Sequence, residues 1–490
     1  MNTALIIGAG FGGLALALRL QSAGIATTIV EARDRPGGRA YVWRKDGFVF
    51  DAGPTVITDP DCLRELWDLS GSTMADDVDL IAVSPFYRLK WSDGASFDYG
   101  NDDPALLAEI AAFDRRDVEG YARFLRYSEA VYQTGYVELG AKPFLSFLDM
   151  VRAAPALVRR KAWQSVYRSV STHIRDERLR QAFSFHTLLV GGDPMRTSSI
   201  YALIHSLEKR GGVWFARGGT NALVDGMVRL FERLGGKLIL ADPVEQILFE
   251  ARKVTGLRTR SGRTLHADMI ASNGDLVHSY GLIAGSRYAA RQTRVLARRR
   301  FSPSLFVLHL GLRGTFPDLA HHTILFSDRF KPLLNDIYRD GRIPPDPSLY
   351  IHHPSATDPS LAPPGHSTLY ALAPVPHLGH ADPDWHSFGD RYREIVLDRI
   401  RDQLIPDVRE RITTMFHYTP VDFSADLGAH LGNAFSLEPL LTQSAWFRAH
   451  NRDDHFENLY LVGAGTHPGA GIPGVVASAK ATASLILGDG

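Results

Sequence analysis

Gly8-Ala9-Gly10-Phe11-Gly12-Gly13, close to the start of the chain, is the stretch that decides the fold. It follows the apolar run Leu5–Ile7, which predicts a buried strand, and precedes the amphipathic run Leu14–Ala23, which predicts a helix. The order of strand, glycine turn and helix is typical of a dinucleotide-binding unit, in which each glycine has its own task. Gly8 allows the tight turn, Gly10 lets the backbone approach a pyrophosphate, and Gly13 lets the helix pack closely on the strand.

An acidic residue, Glu31, follows the next predicted strand, Thr27–Val30. Its carboxylate can accept hydrogen bonds from ribose hydroxyls, which fits NAD or FAD and disfavours a ribose that carries a 2′-phosphate. The run Arg33–Arg39 (RDRPGGR) then resembles the segment that follows the acidic residue in flavoenzymes of the glutathione-reductase-like superfamily. That resemblance implies FAD, with Gly38 close to the diphosphate and Arg39 paired with it.

A second glycine-rich stretch, Gly463–Val475, follows the predicted strand Leu459–Val462. Glycines there would leave room for a flat ring, and the helix predicted from Val475 to Leu487 would present amide donors to the charge that a reduced flavin gains. Asp51–Thr55 is expected to run close to the same ring. The predicted cofactor contacts are Gly8, Gly10, Gly12, Gly13, Glu31, Arg33, Gly38, Arg39, Gly53, Pro54, Thr55, Val244, Gly463, Gly465, Ile472, Pro473, Gly474 and Val475.

The totals fit a globular protein with more than one domain. At 490 residues, the chain exceeds the size at which one hydrophobic core stops growing. Lys plus Arg and Asp plus Glu both total 54, so the charge gives no indication of a nucleic-acid partner. Cys62 is the only cysteine, which excludes an internal disulfide and any multi-cysteine metal site. No stretch reaches the ~18 apolar residues of a membrane span, and the first apolar run leads into glycines instead of a cleavage site.

Histidine is abundant, with 19 residues. His321-His322 and His352-His353 are adjacent pairs, and neighbouring side chains on a strand point to opposite faces. No H-E-x-x-H or similar ligand spacing occurs, so the sequence predicts no metal site. His467 lies inside the second glycine stretch, where a cofactor contact and an ordinary loop histidine are both open interpretations.

The predicted elements divide the chain into five segments that belong to two domains. The predicted fold class is α/β, with a Rossmann-like FAD-binding domain of the glutathione-reductase and amine-oxidase type and a substrate domain of mixed sheet and helices. The FAD-binding domain takes residues 1–75, 215–290 and 436–490. The substrate domain takes residues 76–214, which are mainly helical, and 291–435, which are mainly strands.

Two local predictions accompany this division. Asn221 is the predicted N-cap of a helix over Ala222–Leu234. The proline-rich residues 343–383 contain alternating apolar positions, which predict edge strands and loops.

Several blocks along the whole chain carry a family resemblance. Both glycine stretches, with Pro36–Arg39 and Asp51–Thr58, are similar to the bacterial and fungal type of phytoene desaturase. Phe183–Gly192 (FSFHTLLVGG), Gly212–Thr220 and Gln443–Phe447 extend the similarity through the middle and the end of the chain.

The resemblance implies an FAD-dependent enzyme that converts phytoene stepwise toward lycopene, by hydride transfer to flavin N5 and loss of a proton. Electrons would then pass to oxygen or a membrane quinone. Three alternatives stay open: another carotenoid-modifying flavoenzyme (a diapophytoene or hydroxyneurosporene desaturase, or a carotene ketolase), an amine oxidase, and a non-catalytic prenyl-binding protein similar to the GDP-dissociation inhibitors.

Apolar residues recur at helical spacing between Phe144 and Val170, with basic residues between them. The spacing alone favours a helix packed on the protein's own core, and Pro155 should interrupt any continuous helix. The resemblance instead favours a cytoplasmic enzyme in peripheral contact with the inner face of the cell membrane, because its substrate dissolves in lipid. Asp149 and Arg152, three residues apart, could pair on one helix face, either as an acid–base pair near the flavin or as a surface ion pair.

Overall fold

The fold is given by a computed structural model that describes residues 2–488. Its strands, in chain order, are β1 (Thr3–Ile7), β2 (Ala26–Val30), β3 (Val42–Lys45), β4 (Phe48–Asp51), β5 (Leu80–Ala82), β6 (Tyr87–Lys90), β7 (Ser96–Tyr99), β8 (Trp214–Ala216), β9 (Lys237–Ile239), β10 (Val244–Glu250), β11 (Lys253–Thr259), β12 (Thr264–His266), β13 (Met269–Ser272), β14 (Ser304–Arg313), β15 (His322–Leu325), β16 (Leu349–His352), β17 (His366–Val375), β18 (Ile412–Tyr418) and β19 (Leu459–Leu461). Its α-helices are α1 (Phe11–Ser22), α2 (Pro60–Asp68), α3 (Asp103–Phe113), α4 (Asp117–Tyr132), α5 (Phe147–Arg159), α6 (Val166–Ser171), α7 (Glu177–Ser184), α8 (Leu203–Gly211), α9 (Thr220–Arg233), α10 (Leu276–Gly281), α11 (Arg287–Leu296), α12 (Phe330–Asn335), α13 (Trp385–Gln403), α14 (Val408–Arg411), α15 (Pro420–Leu427) and α16 (Ile472–Leu487).

A five-stranded parallel sheet, in the order β19-β13-β1-β2-β9, forms the centre of the nucleotide-binding part. Its strands come from the beginning, the middle and the end of the chain. The short apolar strand β1 is buried because β13 and β2 pair with it on both sides. Helices α1, α9 and α16 pack on this sheet around one shared apolar core. The predicted α/β fold is therefore confirmed.

A seven-stranded sheet, in the order β18-β14-β17-β16-β15-β6-β7, lies in the other part of the molecule. Strands β6 and β7 come from the first intervening segment, and the other five come from the second. The prediction of edge strands in residues 343–383 is wrong, because β16 and β17 lie inside the sheet. Most prolines of this region lie in the turns before and between these strands, where they remove few ladder hydrogen bonds.

Two helix boundaries also differ from the sequence predictions. Helix α9 begins at Thr220, and the residue before it, Gly219, has a φ of +94°. Asn221 is therefore not the N-cap; it is buried inside the helix, and its side-chain amide donates to the Ala40 carbonyl oxygen. Helix α5 continues through Pro155, contrary to the expected interruption. Because Pro155 is exposed, water can satisfy the carbonyl group that loses its partner.

Among residues 2–488, no helix combines the length and the apolar composition that a membrane span requires.

Candidate active site

A cavity of about 840 Å³ lies where the carboxyl ends of β1, β2 and β13 meet the seven-stranded sheet. The strand order changes direction at this place, since β13 and β2 lie on opposite sides of β1. Ligands of open α/β sheets bind at such a switch point. The cavity is of the size that small-molecule sites have in proteins.

The first glycine turn brings bare backbone to the cavity wall. A Cβ atom on Gly13 would lie 2.1 Å from the Gly8 carbonyl oxygen, so this glycine is required for helix α1 to pack on the turn. Gly8, Gly10 and Gly12 line the cavity. The N-cap of α1, Gly10, makes no side-chain capping hydrogen bond, so the first amides of the helix remain available to an anion. This arrangement fits a diphosphate.

Glu31 is buried at the end of β2 and lines the cavity. One carboxylate oxygen accepts from the Ala9 amide at 2.7 Å, and the other accepts from the Arg33 amide at 2.9 Å. Burial raises the pKa of the Glu31 carboxyl above its ordinary value, and these amide donors act in the opposite direction. Glu31 thus fixes the glycine turn as well as facing the predicted ribose position. Arg33 also lines the cavity and stacks on the Tyr41 ring.

Arg39 is a half-buried cation at the cavity wall, and its Nε atom is buried. Its Nε has no hydrogen-bond partner within residues 2–488, and one terminal nitrogen donates to the Asn433 carbonyl oxygen at 3.4 Å. Burial lowers the pKa of the guanidinium, and the nearby carboxylate of Asp275 opposes that shift. A buried guanidinium with an unsatisfied donor is costly unless an anion approaches it. Arg39 therefore fits the predicted contact with a diphosphate.

The second glycine stretch places the start of α16 at the same cavity. The helix begins at Ile472 after Gly471, whose φ is +97°, and residues 471–475 line the cavity. The predicted contacts that line the cavity are Gly8, Gly10, Gly12, Glu31, Arg33, Gly38, Arg39, Gly53, Pro54, Thr55, Val244, Ile472, Pro473, Gly474 and Val475.

Gly13, Gly463 and Gly465 are not among the lining residues. They allow chain segments to approach closely instead. A Cβ atom on Gly463 would lie 2.4 Å from the Asn273 amide oxygen, and one on Gly465 would lie 2.6 Å from the Leu276 side chain.

Three further residues at the end of β13 line the cavity and are not among the predicted cofactor contacts: Asn273, Gly274 and Asp275. Asp275 caps helix α10 and accepts from the Asn433 side chain at 3.2 Å. A signal was available, because the apolar run Met269–Ser272 predicts a short buried strand that ends at Asn273-Gly274. The carboxyl ends of neighbouring parallel strands share one edge of the sheet.

The rest of the cavity wall is largely aliphatic and aromatic. Side chains of α8, β14, α12, β16 and β17 contribute to it, and they include Leu203, Ile204, Leu207, Leu305, Phe330, Leu333, Leu334, Ile337, Leu349 and Leu372. Phe144, Met150 and Leu157, in or near helix α5, line it as well.

One carboxylate, that of Glu208 on α8, lies against this apolar part of the wall and is fully buried. The Tyr87 hydroxyl donates to one of its oxygens at 2.7 Å. The other oxygen lies 2.9 Å from Nε2 of His186. No motif or spacing indicates this group, because its three members come from distant segments that only the tertiary fold brings together.

Asp149 and Arg152 lie at the beginning of α5. Asp149 forms a capping box with Ser146, and its carboxylate is 3.7 Å from a guanidinium nitrogen of Arg152. The Arg152 side chain is 72% exposed, and neither residue is among those that line the cavity. This placement favours a helix cap with a surface ion pair over an acid–base pair.

His467 and the three histidines His321, His322 and His352 lie in two different places. His467 lines the cavity, and its Nε2 lies 2.8 Å from the Leu139 carbonyl oxygen. Burial lowers the pKa of His467 to about 4. The rings of His321, His322 and His352 come together in the interior, although the adjacent pair was expected to face in opposite directions. His321 precedes β15, so the strand alternation does not apply to it.

Comparisons with known proteins agree with this geometry. The profile of the family described as flavin containing amine oxidoreductase matches residues 11–487. A lycopene-forming phytoene desaturase of Paracoccus sp. (strain N81106 / MBIC 01143) is 59% identical over 100% of this chain and 98% of its own length. A second lycopene-forming phytoene desaturase, from Pseudescherichia vulneris, is 56% identical over the full length of both proteins.

The fold has solved counterparts as well. The crystal structure of an oxidoreductase from Methanosarcina mazei has a TM-score of 0.65 at 18% identity and covers 100% of both chains. FAD is the cofactor that the family indicates, and both glycine stretches, Glu31 and Arg39 lie at one cavity, as a bound dinucleotide requires. The chain therefore belongs to the flavin containing amine oxidoreductase family and, within it, to the phytoene desaturases, which makes it an FAD-dependent oxidoreductase.

Proposed function

We propose that this enzyme desaturates phytoene stepwise toward lycopene. The observation that carries the proposal is the composition of one cavity, which is glycine-rich and polar at the sheet edge and aliphatic beyond it. A hydrocarbon chain offers no hydrogen bonds, so its affinity must come from apolar surface removed from water. An amine substrate would instead favour polar groups placed along the wall.

Bound FAD supplies the hydride acceptor for this chemistry. The residues of the chain hold and orient the reactants. The glycine turn, Glu31 and Arg39 would fix the cofactor's ribose and diphosphate. The aliphatic wall would hold the polyene in place and exclude water from the reacting carbons.

We propose Glu208 as the proton acceptor, in preference to Asp149 and Arg152. Glu208 is a fully buried residue of the lining, next to its apolar part, whereas the other pair lies at a helix end outside the lining. The Tyr87 hydroxyl donates to this carboxylate, and the His186 ring lies beside its other oxygen, which has no hydrogen bond within residues 2–488. Loss of a proton next to an allylic cation does not require a strong base, so a positioned carboxylate suffices.

We propose that the surface around α5 docks peripherally on a membrane. Of the eleven large apolar side chains that are exposed within residues 2–488, six lie between positions 137 and 163. These are Val137, Phe147, Leu148, Val151, Val158 and Trp163. Exposed basic residues lie among them at Lys142, Arg152, Arg159 and Lys161. We call residues 137–163 the apolar–basic surface.

The same segment connects this surface with the cavity. Leu139, Phe144, Met150 and Leu157 line the cavity, while their neighbours on α5 are exposed. An apolar substrate dissolved in lipid would therefore have a route that avoids water. Contact with the inner face of the cell membrane, and a final electron transfer to oxygen or a quinone, are parts of this proposal.

Incubation with phytoene in liposomes, under air, tests the proposed function. Extracted carotenoids separated by chromatography should pass from phytoene through partly desaturated products to lycopene. Accumulation of a product with fewer double bonds than lycopene would show that the enzyme catalyses fewer desaturation steps. Unchanged phytoene with an FAD-loaded enzyme would contradict the substrate assignment.

A further inference from the structure

We propose that His321, His322 and His352 form a binding site for one divalent transition-metal ion of the Zn²⁺ class, with Asp51 beside it. The three histidines lie apart from the flavin contacts, and their chemistry has no use in the desaturation described above. One ring nitrogen of each lies within 4.8 Å of the others. All three side chains are buried.

The fold itself brings these rings together. His322 and His352 are direct partners in the antiparallel pairing of β15 and β16. Side chains of such a pair lie on the same face of a sheet. His321, just before β15, packs edge-on against both rings.

The ring nitrogens that point into the cluster lack partners. Nε2 of His321, Nε2 of His322 and both ring nitrogens of His352 form no hydrogen bond within the described residues. The opposite nitrogens of two rings are held, since Nδ1 of His321 lies 2.6 Å from the Thr357 hydroxyl and Nδ1 of His322 lies 2.7 Å from the Tyr350 hydroxyl. In metal sites the second ring nitrogen is typically held in this way, which presents Nε2 to the ion.

Charge complementarity also favours a cation. The carboxylate of Asp51, at the end of β4, lies 3.9 Å from Nε2 of His352, and its other oxygen has no hydrogen-bond partner within residues 2–488. The Thr220 and Asn221 amides and the positive charge of Arg44 already compensate this buried carboxylate in part, and a divalent ion would compensate it further. The three imidazoles supply three of the four ligands that Zn²⁺ binds tetrahedrally at ~2.0–2.1 Å, so binding would draw the rings together.

The position of the site indicates its effect. Asp51 directly precedes the Ala52–Thr55 segment at the cavity wall. The Thr55 hydroxyl lies 2.6 Å from that of Tyr350, which in turn contacts His322. An ion bound here would tie the seven-stranded sheet to this flavin-binding segment. We assign the ion a structural and not a catalytic role, because Tyr350 lines the cavity and contacts His322, whereas none of the three histidines lines it.

Titration of the FAD-loaded enzyme with Co²⁺, after treatment with a chelator, tests the proposal. Co²⁺ reports tetrahedral nitrogen and oxygen ligands by visible absorption bands. We expect one equivalent to bind, to be displaced by Zn²⁺ and to raise the thermal midpoint of unfolding as its concentration increases. Binding of less than one equivalent, or absorption typical of an octahedral surface complex, would overturn the proposal.

Variants locate the ion. His352→Gln and, separately, His321→Gln should weaken Co²⁺ binding by at least tenfold, while the exposed His266→Gln serves as the matched control. If one cluster variant does not fold, the other is used. Equal affinity in a folded cluster variant and the control would show that the ion binds elsewhere.

Discussion

The glycine-rich end and the aliphatic end of the cavity differ in what forms their walls. At the first end the wall is backbone. Directly behind it, one added Cβ atom at Gly13 would meet the carbonyl oxygen of the lining residue Gly8 at 2.1 Å. At the other end the wall consists of side chains such as Leu334 and Ile337, which can change rotamer. Single substitutions at the glycine-rich end should therefore abolish cofactor binding. Substitutions at the aliphatic end should change the reaction rate only in part.

The largest effect is expected for Gly13→Ala. Because the new methyl group would meet backbone, the turn must shift, and FAD binding should be lost together with all activity. Flavin absorbance of the purified variant measures this. Gly281→Ala, where nothing lies within 4 Å of the added Cβ, is the control and should retain FAD. Full FAD occupancy in Gly13→Ala would contradict the claim that the glycine-rich end does not tolerate an added Cβ atom.

Glu208→Gln should lower kcat by about 100-fold and leave FAD occupancy unchanged, because a general base typically contributes at least that factor. Initial rates with phytoene in liposomes measure the loss. Asp149→Asn is the matched comparison and should change kcat by no more than about twofold, since its role is a surface cap. A larger loss of kcat in Asp149→Asn than in Glu208→Gln would instead assign the proton-transfer role to Asp149 and Arg152.

Glu31→Arg should weaken FAD binding by about 30-fold, which corresponds to ~2 kcal/mol for lost hydrogen bonds to a charged group. The substitution removes the acceptor for ribose and for the Ala9 and Arg33 amides. Fluorescence titration of the apoprotein gives the Kd. Glu232→Arg, an exposed charge reversal on α9, is the control. A Kd equal to that of the control would contradict the role of Glu31.

The smallest effect is expected on the apolar–basic surface. Leu148→Glu combined with Val151→Glu should lower binding to anionic liposomes by about tenfold, since two exposed apolar contacts are lost. Flotation of protein with vesicles measures the bound fraction. Val295→Glu changes an exposed apolar residue elsewhere and should bind as the unmodified enzyme does. Equal binding in both variants would exclude this surface as the docking site.

The same contrast explains what the sequence could predict. The glycine turn, Glu31 and Arg39 lie at the cavity as predicted, because each residue type is set by the backbone next to it. The packing role predicted for Gly13 depends on Gly8, five residues away. Gly463 and Gly465 were predicted as cofactor contacts but lie outside the cavity lining, and an added Cβ atom there would meet Asn273 and Leu276 of a distant segment.

Features set by long-range contacts were missed or misjudged. Glu208 acquires its position from Tyr87 and His186, and no spacing in the sequence joins these three residues. The histidine cluster depends on the register between β15 and β16. Pro155 lies inside a helix because its exposure makes the lost hydrogen bond inexpensive, and exposure is not visible in a sequence.

Anaerobic incubation of the FAD-loaded enzyme with phytoene in liposomes tests most directly that one cavity serves both ligands. Flavin absorbance and the absorption bands of conjugated polyenes are followed together. We expect the flavin to bleach as the polyene bands grow, because both reactants share the cavity. Stable flavin absorbance without new bands, in an enzyme that binds FAD, would contradict it.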